Sequence, residues 1–199
     1  MTSSSSSSSQ SSTTHYGHIE DEPAHFSYQD GALSWGDGAS RILDENIICV
    51  TALEHSSIAH RIFSLAPAEE GTQKPFELCI TNTTLLPQGF LDRHLFKDLP
   101  AYLRPNNIVY VLISTLSGTG LSPSFFDEVL HSILLATGIP DSRYTVLRTK
   151  DAESVIHFAR TELLPVALRG KEQTILMVSG DGGLVDTING LLENGKLSE

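Results

Sequence analysis

The chain has 199 residues, of which 40% are hydrophobic and 19% are charged, values typical of a globular protein. Its formal net charge of −11 argues against a nucleic-acid-binding protein, because neutralising phosphates requires Lys and Arg clusters and the sequence has none. No apolar run approaches the roughly 18 residues of a membrane-spanning helix, and the polar first residues do not form a secretory signal.

The chain has two cysteines, Cys49 and Cys79, which fall in predicted strands. Without a secretory signal, such thiols are expected to be reduced and buried rather than joined in a disulfide. We therefore expect a cytoplasmic protein, with any contact to intracellular membranes being peripheral.

The first 90 residues change character near Asp30. Residues 1–30 begin with the serine run Ser3–Ser9 and hold little apolar surface, so this segment is predicted to be disordered. Residues 31–90 are predicted to form a small antiparallel β module, because short runs rich in β-branched and aromatic residues alternate there with turn residues. These runs are Ala32–Trp35, Ile47–Leu53, Arg61–Leu65 and Phe76–Thr81. Asp37, in the sequence WGDGAS, is predicted to lie in a hairpin turn.

Residues 91–105 are predicted to form a connector helix. Leucines at 91, 95, 99 and 103 are four residues apart, which places them near one face of a helix. Pro100 is expected to bend or end that helix.

From residue 106 to 199, predicted strands and helices alternate. Such an order predicts an α/β fold in which a parallel sheet is flanked by helices and ligand loops follow the carboxyl ends of the strands. The predicted elements are Asn107–Ser114, Ser122–Thr137, Tyr144–Arg148, Ala152–Leu164, Thr174–Val178 and Leu184–Leu192.

A glycine-rich loop joins the last predicted strand to the last predicted helix. Ser179, Gly180, Asp181, Gly182 and Gly183 follow the strand directly, and the glycines are expected to adopt positive φ and to let the main chain approach a ligand closely. Backbone N–H groups and the positive end of the following helix suit phosphate oxygens. The alternative is a tight strand-to-helix turn without a ligand.

Asp181 has three candidate roles. Its carboxylate could bond its own backbone as a turn residue, order magnesium together with a nucleotide, or act as the base that deprotonates an attacking hydroxyl.

An upstream loop has the same character. Residues 114–120 read STLSGTG, and Ser117, Gly118, Thr119 and Gly120 offer hydroxyl and N–H donors to phosphate. The same residues could instead turn the chain into a helix that Ser122 would cap, with Pro123 as its first residue.

Together, the two loops resemble the catalytic domain of diacylglycerol kinases and sphingosine (long-chain base) kinases. That family carries an N-P-x-S-G-x-G loop and a later [GS]-G-D-G-x-x-x-E-x-x-N-G-L block. Here the first loop keeps Ser-Gly but lacks Asn-Pro, and the block reads SGDGGLVDTINGL, with Asp186 in place of Glu. Thr149, His157 and Ala159 resemble the family's T…HA segment, with Phe158 inserted. The resemblance covers about residues 107–192.

The resemblance implies an ATP- and Mg²⁺-dependent kinase that phosphorylates a hydroxyl of a sphingoid base or of diacylglycerol. It implies a Rossmann-like N-terminal lobe over residues 106–199, preceded by a pleckstrin-homology-like (PH-like) module. It assigns Asp181 to catalysis or metal ordering, and it assigns nucleotide contacts to both loops and to Thr149. The implied contacts are Ser117, Gly118, Thr119, Gly120, Thr149, Ser179, Gly180, Gly182 and Gly183.

Three flanking residues keep simpler interpretations. Thr149 could cap the following helix, and His157 is expected to be a packed or solvated helix residue rather than a catalyst. Asn189 is expected to pack or to bond back toward the loop.

Family enzymes have a second, largely β lobe after the Asn-Gly-Leu block, whereas this chain ends at Glu199. We therefore expect a truncated catalytic domain, in which a cleft walled on one side would bind ATP weakly. Two alternatives remain open: a catalytically inactive nucleotide- or lipid-binding fragment, and an enzyme similar to NAD kinase, which also uses a Gly-Asp-Gly loop.

Overall fold

A computed structural model of the chain describes residues 15–19, 22–54, 58–67, 76–115, 120–151 and 153–192. The chain divides into two compact units, Met1–Lys97 and Asp98–Glu199. The first unit is mainly antiparallel β structure, and the second is a parallel sheet flanked by helices. Within the described ranges, no helix is both long and apolar enough to cross a bilayer.

Seven antiparallel strands form the sheet of the first unit, in the order β4-β3-β2-β1-β7-β6-β5. The strands are β1 (His15–Ile19), β2 (Glu22–Gln29), β3 (Ala32–Trp35), β4 (Ser40–Leu43), β5 (Ile47–Ala52), β6 (His60–Pro67) and β7 (Phe76–Thr83). The predicted β module is therefore present in residues 31–90, and it also includes two earlier strands.

The two earlier strands lie in the segment predicted to be disordered. Residues 1–14 are outside the described part of the chain, but β1 and β2 occupy most of residues 15–29. Ala24 and Phe26 alternate toward the interior of the sheet and are buried. Burial of these two side chains offsets the conformational entropy that the segment loses when it becomes ordered. The polar composition of the segment had suggested that this entropy cost would keep it disordered.

The β3–β4 hairpin has the turn that the sequence predicts. Gly36, Asp37 and Gly38 have φ values of 59°, 54° and 88°, which is the left-handed region that glycine adopts without steric cost. Asp37 is thus a hairpin turn residue.

The helix predicted as a connector over residues 91–105 is shorter and begins earlier, as α1 (Gln88–His94). Phe90 is fully buried in the core of the first unit, and Leu91 and Leu95 pack against that core. Leu99 and Leu103 instead pack against a core of the second unit. The four-residue spacing of the leucines therefore does not mark one helix, because its two halves serve different cores.

Asp44 joins α1 to the sheet. Its carboxylate accepts a hydrogen bond from the Tyr28 hydroxyl (2.8 Å), lies 2.8 Å from His94 Nε2 and pairs with Arg93 (3.0 Å). Burial acts to raise the pKa of Asp44, but the hydrogen bonds from Tyr28 and His94 and the nearby cations outweigh it and hold that pKa below its ordinary value. The network fixes the helix by polar contacts beside the apolar core.

The second unit follows the predicted alternation closely. Its elements are β8 (Ile108–Ile113), α2 (residues 122–136), β9 (Tyr144–Arg148), α3 (residues 154–167), β10 (Gln173–Val178) and α4 (Asp181–Leu191). The three strands are parallel, in the order β10-β8-β9. Short 3₁₀ turns lie at Ala101–Leu103 and Asp141–Arg143.

Alternate residues of β8 separate two cores. Tyr110 and Leu112 pack in one core with residues of α3 and α4. Val111 and Ile113 pack in the other with residues of α2. Because β8 is buried on both faces, it reads as the continuous apolar run that is typical of a central parallel strand.

Both long helices contain a π-type segment, Phe126–Leu130 in α2 and Ala159–Leu163 in α3. In α3 this segment ends just before Pro165, whose ring nitrogen has no N–H to donate to the preceding turn.

Candidate functional site

The sheet order of the second unit creates a switch point between β8 and β10. The chain runs from β8 through α2 to β9, which lies on one side of β8, and then returns to β10 on the other side. Helix α2 packs on one face of the sheet, whereas α4, which follows β10, packs on the opposite face. In open parallel sheets, ligands bind outside the carboxyl ends of strands at such a point. The two glycine-rich loops follow these two strands.

Hydrogen bonds fix the start of both loops at one edge of the sheet. Ile113, the last residue of β8, is paired with Val178, the last residue of β10. The Ser114 N–H donates to the Val178 carbonyl oxygen at 3.0 Å, and the Thr149 N–H donates to the Ile113 carbonyl oxygen at 3.0 Å. The chain therefore leaves all three strands at the same level.

Thr149 holds the first loop. The Thr115 N–H donates to Thr149 Oγ1 at 3.0 Å, and the Thr115 hydroxyl donates to the Thr149 carbonyl oxygen at 2.6 Å. Thr149 is buried, and its hydroxyl is engaged by the neighbouring loop rather than by the helix that follows it. The cap interpretation of Thr149 is wrong, since Asp151 and Ser154 accept the N–H groups before α3.

The second loop enters α4 without a side-chain cap. Gly180 is the N-cap residue, with extended backbone, and no described side chain accepts a capping hydrogen bond from the start of the helix. The first N–H groups of a helix have no acceptor within it. Here the Gly183 N–H donates to the Gly180 carbonyl oxygen at 3.1 Å, which leaves the N–H groups of Asp181 and Gly182 as the uncapped donors of the described turn.

The three loop glycines do not have the positive φ that the sequence analysis expects, because the chain enters α4 directly. Two of them face open space instead: a Cβ on Gly180 or Gly182 would have no atom within 4 Å. A Cβ on Gly183 would come within 2.9 Å of Ser179 Cβ, so that glycine permits the loop to close on itself. Ser179 donates its hydroxyl to the Gly180 carbonyl oxygen at 3.0 Å.

Asp181 is the first residue of α4 and is exposed. Its carboxylate forms no hydrogen bond or ion pair with the described residues, so the turn-residue role has no bond to support it here. An acidic side chain in the first turn also interacts favourably with the helix dipole.

Part of the first loop lies outside the described residues, including Ser117, Gly118 and Thr119. Gly120 is described: it is exposed, has a φ of 71°, and a Cβ there would meet no atom within 4 Å. The predicted cap at Ser122 is wrong, since Leu121 occupies the cap position and no side chain bonds to the helix start.

The Asn-Gly-Leu block holds α4 against α3. A Cβ on Gly190 would come within 2.5 Å of Ala159 Cβ and 2.9 Å of the Ile156 carbonyl oxygen, so the two helices meet at this glycine. Asn189 is exposed and forms no hydrogen bond to the described part of the loop, contrary to the sequence expectation. His157 is exposed on α3, as expected.

Two basic residues lie at the carboxyl end of β9: Lys150, which sequence reasoning places there with Thr149, and Arg148, which it did not single out. Arg148 pairs with Asp127 at 2.5 Å and lies over the Phe126 ring, which holds its guanidinium against α2. Lys150 is exposed one residue beyond Thr149. The position of Arg148 at the end of a parallel strand was the signal that could have identified it.

Among the described residues, no three His, Cys, Asp or Glu side chains form a group that could hold a metal ion alone. Mg²⁺ in phosphoryl-transfer sites is bound by one or two carboxylates together with substrate phosphates. The exposed carboxylate of Asp181 lies beside the uncapped N–H groups at the start of α4, so it fits the binding of Mg²⁺ together with substrate phosphates.

No protein-family model, curated protein or solved structure matches the chain.

Proposed function

We propose that the second unit is the nucleotide-binding lobe of an ATP-dependent lipid kinase, which transfers the γ-phosphate to a hydroxyl of a sphingoid base or of diacylglycerol. One observation carries the nucleotide part of this proposal. Two glycine-rich loops leave adjacent parallel strands at a switch point, and one of them opens a helix that no side chain in the described part of the protein caps.

The loop chemistry suits a polyphosphate. At the start of α4, N–H groups and the positive end of the helix dipole favour an anion. The open space at Gly180 and Gly182 would let phosphate oxygens approach the backbone. Lys150, at the same edge of the sheet, is positioned to add a positive charge.

Asp181 supplies the group that phosphoryl transfer needs beside these donors. Transfer of a phosphoryl group depends mainly on positioning and on charge stabilisation. A carboxylate at the loop would orient the attacking hydroxyl and accept its proton, or would bind Mg²⁺ with the phosphates. Bound Mg²⁺ would neutralise charge that develops on the transferred group.

The substrate class comes from the motif resemblance, which extends from the Ser-Gly pair of the first loop to the Asn-Gly-Leu block. The antiparallel strands of the first unit support the proposal of a PH-like module. We therefore place diacylglycerol and sphingoid bases ahead of soluble acceptors.

Incubation with radiolabelled ATP and Mg²⁺, with sphingosine, diacylglycerol or NAD as acceptor, tests the proposal. We expect label in a lipid product, and its loss in Asp181→Asn but not in Glu162→Gln, which removes an exposed acid from α3. Label in NAD alone would replace the lipid proposal by a soluble acceptor. ATP binding without any transfer would support the inactive-fragment alternative, and the absence of ATP binding would refute a nucleotide site.

A further inference from the structure

A cavity of about 390 Å³ opens in the first unit, between β3–β4 and β6–β7. This volume falls in the range of small-molecule sites. Its apolar wall includes Trp35, Ile42 and Leu65. The cavity is made by residues of the first unit alone, and none of them belongs to the glycine-rich loops.

The inner face of the sheet changes character as it reaches this cavity. Ile62 packs in the apolar core, and Ser64, two residues further along β6, lies on the same face. Ser64 is only 3% exposed and is paired across the strands with Cys79, so two small side chains occupy positions where the core would need large ones. This exchange of large apolar for small polar residues is what leaves the space open.

The described lining of the cavity carries charge of one sign. Among the described residues that line it, Arg41 is the one cation and none has a carboxylate. Arg41 forms no ion pair with a described acid, and Asp44 of the same unit is engaged by Tyr28, Arg93 and His94. In a chain with a formal net charge of −11, this is a local site for an anion.

We propose that this cavity binds a small anionic amphiphile, with its apolar chain against Trp35, Ile42 and Leu65 and its carboxylate or phosphate beside Arg41. Burial of the ligand's apolar chain lowers the free energy of binding in proportion to the apolar area buried, and the Arg41 guanidinium adds a charge-assisted contact. The proposal concerns the first unit and does not depend on the kinase assignment.

Trp35 makes the test direct, because it is the only tryptophan of the chain. The intact chain is titrated with decanoate below its micelle concentration while Trp35 fluorescence is recorded, with decanol as the neutral analogue. We expect a saturable spectral change with decanoate and markedly weaker binding of decanol. Vesicles that contain phosphatidic acid, compared with pure phosphatidylcholine vesicles, show whether the anion is presented free or by a membrane.

Three variants separate the site from non-specific adsorption. Arg41→Gln should weaken decanoate binding about tenfold, through loss of a charged partner, whereas Arg61→Gln should not, because Arg61 bonds Asn82 and does not line the cavity. Ser64→Leu should fill the cavity and abolish the change; if this variant does not fold, Arg41→Gln decides. Equal affinity for decanol and decanoate, an unchanged affinity in Arg41→Gln, or no saturable response to either decanoate or phosphatidic acid would overturn the proposal.

Discussion

Thr115 and Thr149 form a two-bond latch at the carboxyl edge of the parallel sheet, with N–H to Oγ1 at 3.0 Å and Oγ1 to carbonyl oxygen at 2.6 Å. The latch joins the residue that begins the first glycine-rich loop to the residue that follows β9. It sets the direction in which the loop leaves β8.

Thr149→Val should destabilise the second unit and loosen this loop. The substitution preserves the shape of the buried side chain but removes the acceptor of the Thr115 N–H, and an unsatisfied buried donor costs about 1–3 kcal/mol. Denaturant unfolding measures the loss, and amide exchange at Thr115 measures the loosening. Thr149→Ser, which keeps the hydroxyl, should retain slow exchange; if both variants exchange equally fast, the latch does not control the loop.

Two glycines of α4 should respond in opposite ways to the same substitution. Gly182→Ala places its methyl group in open space, so it should stabilise the unit by about 0.5 kcal/mol while weakening ATP binding by covering the loop. Gly190→Ala drives a methyl group against Ala159 and should cost about 1–3 kcal/mol. Thermal unfolding and ATP titration of both variants check this. Tighter ATP binding by Gly182→Ala would contradict the proposal that phosphate oxygens approach the backbone at Gly182.

Acid should weaken the first unit through Asp44. Its pKa is lowered in the folded state, so its contribution to the free energy of unfolding is fully present above the ordinary pKa of 3.8 and is lost as the pH falls through the lower folded value. Asp44→Asn should cost about 2 kcal/mol near neutral pH, because three partners lose a charged acceptor. Unfolding between pH 2.5 and 7 measures this. An identical pH slope below pH 4 in the wild type and in Asp44→Asn would show that another group is responsible.

Asp181→Asn should separate catalysis from folding. The side chain is exposed, so the substitution should cost less than about 1 kcal/mol, mostly through the helix dipole. Loss of a proton acceptor or metal ligand should lower the rate of phosphoryl transfer by about 10²-fold or more. Initial rates with radiolabelled ATP measure this, and unchanged turnover with a normal melting curve would remove Asp181 from the mechanism.

Sequence periodicity was sufficient for several of the strands. The strands Ala32–Trp35 and Tyr144–Arg148 match their predicted bounds, and β8 and β10 match theirs within a residue at each end. Apolar runs and turn residues carry this information locally.

Periodicity failed where distant partners decide the structure. The strands at His15–Ile19 and Glu22–Gln29 depend on pairing with each other and with β3 and β7, which a polar local composition does not indicate. The leucines of residues 91–103 share a spacing but belong to two cores. At the candidate site, Thr115 holds the first loop through a hydrogen bond to Thr149, which is 34 positions away. The sequence around Thr115 does not indicate this bond.

The most direct test of the proposal that both glycine-rich loops bind one triphosphate is an NMR titration of the ¹⁵N-labelled protein with MgATP. We predict that the amide signals of Thr115, Gly120, Gly182 and Gly183 move together and give one dissociation constant, because both loops would contact the same triphosphate. Movement of the signals of one loop alone, or no movement in either, would contradict it.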